Sequence, residues 1–126
     1  MVTVDISQLS GECNTWRDSL RSCRDDLNQL KKQLQQTAGQ NLSKDQLHDV
    51  EHYHNQFHIQ LINVHDLKQS IKAHDRRVQF ETSANSGQLT EDTIAEHERL
   101  FDEYQSLDNT IKNLRDEFGN FVNRTS

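Results

Sequence analysis

Apolar residues recur at alternating three- and four-residue intervals along almost the whole chain. In the first third they are Ile6, Leu9, Cys13, Trp16, Leu20, Cys23, Leu27, Leu30 and Leu34, and nearly every intervening position is polar. That spacing keeps one face of an α-helix apolar, which is the pattern of a coiled-coil seam. A second stripe runs through Leu47, Val50, His54, Phe57, Leu61, Val64, Lys68, Ile71, Asp75 and Val78, with Tyr53 and Leu67 widening it. A third runs through His97, Leu100, Tyr104, Leu107, Ile111, Leu114, Phe118 and Phe121, widened by Ile94, Phe101 and Val122. A helix that touches two neighbours needs such a wider face.

Three helix starts share one design. Val4-Asp5-Ile6-Ser7-Gln8-Leu9, Leu42-Ser43-Lys44-Asp45-Gln46-Leu47 and Leu89-Thr90-Glu91-Asp92-Thr93-Ile94 each place an apolar residue before a capping Asp, Ser or Thr and another four positions after it. This is the hydrophobic staple, and the Gln three residues after the cap adds a capping box to the first two. Ala38-Gly39 and the run from Thr82 to Gly87 read as stops. Helices over 6–37, 44–81 and 91–122 are expected. No strand pattern is found.

Short loops between helices of similar length make sequential neighbours antiparallel. The expected fold is therefore all-α, an up-down-up three-helix bundle spanning residues 1–126. Folding the stripes about the loops predicts layers such as Trp16–Val64–Leu107, Leu20–Leu61–Ile111 and Leu27–His54–Phe118, and sets Cys13 beside Lys68. The three long helices, with Trp16 in the first half of the first, resemble a spectrin-type repeat, which implies the same antiparallel geometry.

Composition narrows the function. Only 32% of residues are apolar and the mean hydropathy is −0.96, which suits slender helices better than a thick core. Proline is absent and there are four glycines, against the usual composition of disorder. The formal net charge is −6, concentrated at the end of the chain, where residues 85–126 carry nine acidic and four basic side chains. With no basic cluster, neither nucleic acid nor an anionic membrane is an expected partner. Cys13 and Cys23 lie ten residues apart on one helix, too far to bridge each other. They read as buried hydrophobes in a reducing, cytoplasmic setting.

Six of the seven histidines fall in the middle segment. Asp45, His48 and His52 share one face at metal-ligand spacing, but that face points away from the stripe, so weak divalent-metal binding is the most it predicts. Glu51 and His54 repeat the Glu-x-x-His spacing of di-iron bundles. The first helix offers only Glu12 to complete such a site, so no metal or cofactor is expected. On the stripes, His97 is expected level with Asp75, as a buried pair that would lose stability as pH rises through the histidine range. His74 is expected on a flank.

His65-Asp66-Leu67-Lys68-Gln69 resembles the His-x-Leu-Lys-Gly motif of histidine phosphotransfer domains. The resemblance implies His65 as phosphoacceptor and Lys68 as its neighbouring cation, with Gln69 where the motif has glycine. Ile59 and Ile62 form an apolar ridge on the outward face, the expected contact patch for a partner helix or a second copy. No phosphate loop or nucleophile elbow is present. The expected function is thus non-enzymatic, a helical interaction or structural module that binds another protein or a second copy of itself. Phosphotransfer at His65 and weak metal binding are the alternatives.

Overall fold

The computed structural model describes residues 5–125. Three helices, α1 (Ile6–Ala38), α2 (Lys44–Ala84) and α3 (Glu91–Thr125), pack against one another as an antiparallel bundle, with no strand among the described residues. None of these helices is long and apolar enough to cross a membrane.

The starts are capped much as the staples predict. Asp5 accepts from the Gln8 amide at 3.3 Å. The Gln8 side chain turns forward to Glu12 at 3.0 Å instead of back to the cap, so the first capping box is not made. Ser43 and Gln46 complete theirs. Thr90 accepts from the Thr93 amide at 3.3 Å. Val4, which would open the first staple, lies outside the described residues.

Two helices run three residues past their expected ends. The Thr82 hydroxyl donates to the Val78 carbonyl at 2.7 Å, satisfying itself inside the helix instead of breaking it. The turn begins at Asn85 and uses positive φ at Ser86 (55°) and Gly87 (85°). Thr125 likewise donates to the Val122 carbonyl at 2.9 Å.

The buried face of α2 differs from the expected one. It comprises Tyr53, Phe57, Gln60, Val64, Leu67, Ile71, His74, Val78 and Glu81. Phe57, Val64, Ile71 and Val78 belong to both stripes, but the alternating positions come from the opposite flank. His54 and Leu47 are exposed, while His74 is buried at 4% exposure.

The α2–α3 register stays close to the expected one, but the other flank of α2 faces inward. His97 meets His74 instead of Asp75, and Phe118 packs on Tyr53 and Phe57 at ring distances of 5.3 and 5.1 Å. The slide of α1 against α2 is larger. Ser10 bonds Asp75 and Cys13 sits by His74, four to six residues farther along α2 than expected. Trp16 accordingly stacks among His97, Phe101 and Tyr104. The expected register would have set the Lys68 ammonium against Cys13, and burying an unpaired cation is costly. The observed register leaves Lys68 half-exposed.

Two apolar clusters result. The larger runs from Cys13, Trp16 and Leu100 to Phe118 and Phe121, and the smaller joins Leu9, Val78 and Leu89 at the α2–α3 loop end.

Candidate functional site

Between those clusters lies a polar layer with one contribution from each helix. Cys13 of α1, His74 of α2 and His97 of α3 are all buried, and one potential ligand atom from each lies within 4.8 Å of the others. Each occupies a core-facing position, so helix packing alone brings them together.

The three are held by directed bonds. His74 Nε2 and His97 Nδ1 are 3.0 Å apart, and His97 Nε2 is 2.8 Å from Glu12 Oε2. The His97 hydrogen bond is the main reason the Glu12 carboxyl sits below its ordinary range, so this group is an acceptor. His97 therefore donates from Nε2, its Nδ1 accepts, and His74 donates from Nε2 when both rings are neutral. Burial, then the neighbouring His97, pushes His74 below the usual histidine value and favours its neutral form. His74 Nδ1 is left buried with no hydrogen-bond partner, the one such side-chain atom among the described residues. Such orphans are costly and uncommon. Trp16 covers His97 at a ring distance of 4.7 Å. Burial raises the Cys13 thiol to about 11, with Asp75 and Glu12 adding to the effect. Burial raises Cys23 too. Both shifts favour the protonated thiol over the thiolate.

The expected Asp75–His97 pair is not made. Asp75 instead accepts from the Ser10 hydroxyl at 3.2 Å and lies 3.5 Å from the Gln79 amide nitrogen. Asp45, His48 and His52 are exposed along one face of α2, as are Glu51 and His54. His65 is exposed, with Lys68 half-buried one turn on. Burial, then Arg24, Arg21 and Arg17 of α1, lowers the Lys68 ammonium.

Ile59 and Ile62 are 45% and 46% exposed. Ile59 shares a strip of α2 with Asn63, Asp66 and Ser70, residues that line one wall of a groove of about 590 Å³ between α2 and α3. Leu67 and Leu107 give the groove an apolar lining, and Asp66, Asp102 and Glu103 make it acidic. The Arg99 guanidinium there is engaged by Glu96 and Glu103.

The sequence carried one signal for the buried trio. Tyr53, Gln60, Leu67, His74 and Glu81 recur every seven residues, a column as regular as the apolar one but with polar members. Comparison with protein-family models, with curated proteins and with solved structures finds no match.

Proposed function

We propose that the protein is a non-enzymatic interaction module whose α2–α3 groove receives an amphipathic helix with basic flanks. The groove itself carries this reading. Its apolar lining and the adjacent Ile59 and Ile62 suit the apolar stripe of a helix laid between two others. The carboxylates of Asp66, Asp102 and Glu103 suit lysines or arginines beside that stripe. A second copy of this chain is a poorer occupant, because α3 is itself strongly acidic and would meet like charge. The buried thiols of Cys13 and Cys23 support a reducing, cytoplasmic setting.

The test titrates the protein with a synthetic helical peptide bearing leucines at heptad spacing and lysines on both flanks, followed by fluorescence anisotropy. Saturable binding that weakens with salt, and weakens at least tenfold in an Ile59→Asp, Asp102→Lys variant, is expected. Equal binding of a glutamate-flanked peptide, or sedimentation of the free protein as a dimer that the same variant dissociates, overturns the reading.

A second reading has one observation behind it. Arg24, Arg21 and Arg17 of α1 act on Lys68, one turn along α2 from His65, and such cations would suit a phosphoryl group. An acid-labile phosphohistidine signal lost in His65→Gln would support phosphotransfer over the binding module.

A further inference from the structure

We propose that Cys13, His74 and His97 form a zinc site with three protein ligands and an open fourth position, with Glu12 fixing the orientation of His97. One thiolate and two imidazoles are ligands that zinc takes in tetrahedral geometry. Tetrahedral bonds of ordinary length place two imidazole nitrogens about 3.3 Å apart and sulfur about 3.5 Å from each. The observed 3.0 Å between His74 and His97, and the 4.8 Å envelope of the trio, bracket those values. Adjustments of about 0.3 Å for the nitrogen pair and at most about 1.3 Å for sulfur would convert the hydrogen-bonded trio into a coordination sphere.

Glu12 is the observation that separates this trio from a chance meeting of core residues. A histidine that binds metal through one nitrogen commonly donates from the other to a carboxylate, which selects its tautomer and raises its basicity. His97 already does so, with Nε2 toward Glu12 and its Nδ1 lone pair toward His74. The exposed histidines of α2 have no comparable arrangement. Asp45, His48 and His52 lie on one solvated helix face without a ligand from a second helix.

The proton balance can be followed atom by atom. Zinc binding forms one bond to Cys13 Sγ, and the thiol proton leaves to solvent. His97 keeps its Nε2 proton, donated to the Glu12 carboxylate, and gives its Nδ1 lone pair to the metal. His74 must present Nε2, so its proton moves to Nδ1, which has no hydrogen-bond partner in either tautomer. The two charges of the ion are met by the Cys13 thiolate and the Glu12 carboxylate, so the layer is neutral overall. A neutral layer suits a site whose three ligands are buried. The fourth position is left for water or a small ligand.

The experiment titrates chelator-treated, reduced full-length protein with cobalt(II), a spectroscopic probe for zinc sites, and then displaces it with zinc. One equivalent should bind with a thiolate-to-cobalt charge-transfer band and the visible bands of four-coordinate cobalt. Cys13→Ser should lose the charge-transfer band. Glu12→Gln should weaken zinc by about 10- to 100-fold. Glu12 is a third exposed, so this variant tests the site without emptying the core, and circular dichroism checks that each variant folds. His48→Gln with His52→Gln should leave the affinity unchanged. The proposal is overturned if the native chain shows no thiolate band, if Glu12→Gln binds as tightly as the native chain, or if the His48/His52 variant abolishes binding. These results are independent of whether the α2–α3 groove binds its peptide.

Discussion

Replacing Glu81 with leucine tests how far a single polar core residue holds the α2–α3 corner together. The residue is 6% exposed. It accepts from the Thr90 amide at 2.9 Å, from the Thr93 hydroxyl, and from Arg77 Nε at 2.9 Å. Thr93 is fully buried, so once Glu81 is gone its hydroxyl still accepts from Thr90 Oγ1 at 3.0 Å but has no acceptor for its own proton. Hydrogen bonds to charged groups contribute about 1.5–3 kcal/mol each. Arg77 is half-exposed, and its share is near the low end for a surface pair. The leucine gains back some apolar burial, leaving a net cost of about 3 kcal/mol. In a chain of this size that lowers the melting temperature by roughly 10 °C.

The assay is urea denaturation followed by helical circular dichroism at pH 7, repeated between pH 5 and pH 2. Burial alone would raise the Glu81 carboxyl, but the donors from Thr93, Thr90 and Arg77 together bring it down to about 2 from an ordinary 4.5. As pH falls, the unfolded chain takes up this proton before the folded one. The contribution of Glu81 is therefore complete above about pH 4.5 and is lost as pH falls toward 2. Glu81→Gln cannot titrate, so its acid decline should be shallower than that of the native chain. Some decline remains, since Glu12 and Glu96 are lowered too. A cost below about 1 kcal/mol for leucine, or an acid decline in Glu81→Gln as steep as the native one, refutes the reasoning.

Two further outcomes are expected from the core. His74 is held below the ordinary histidine value of 6.5, chiefly by burial. The unfolded chain therefore protonates first and native stability should fall as pH drops below 6.5. Denaturation at pH 8 and pH 5.5 should show that difference shrinking in His74→Leu, and an equally steep fall in the variant would count against it. Phe118→Ala should cost about 3–5 kcal/mol, because this ring is fully buried against Tyr53 and Phe57. Phe80→Ala, at a site 72% exposed, should stay within about 0.5 kcal/mol, and equal costs for the two would contradict the assigned core.

Much of the fold was legible because capping chemistry and apolar spacing act locally. Ser43 with Gln46 marks the start of α2 whatever lies across the bundle, and the α1 stripe is apolar enough to admit one face only. The face of α2 was not legible in the same way. Two stripes share Phe57, Val64, Ile71 and Val78, and the choice between their flanks turns on Leu61 and Lys68 against Gln60 and Leu67, or Asp75 against His74. Hydropathy cannot decide among polar residues, since a buried histidine and a solvated aspartate look equally unfavourable until partners are known. The partners come from other helices, Glu12 and His97 for one, Thr90 and Thr93 for another. For the same reason six histidines on one segment suggested a local face. The convergent site takes only one of them and draws Cys13 and His97 from elsewhere.

The polar column of α2 also has a consequence for how the bundle is built. Gln60 bonds Asn63 at 3.3 Å, and Leu67 interrupts the column. His74 bonds His97, and Glu81 gathers Thr90, Thr93 and Arg77. Apolar side chains tolerate sliding by a turn, because one leucine replaces another at little cost. Directed bonds do not, because a slipped register strands a buried donor or carboxylate. The larger cluster, with Phe57, Phe118 and Phe121 at its aromatic end, supplies apolar burial that tolerates such sliding. His74 and Glu81, flanking the small Leu9–Val78–Leu89 cluster, select the register in which that burial occurs. Any ligand or proton that acts on His74 acts on the layer joining the two clusters.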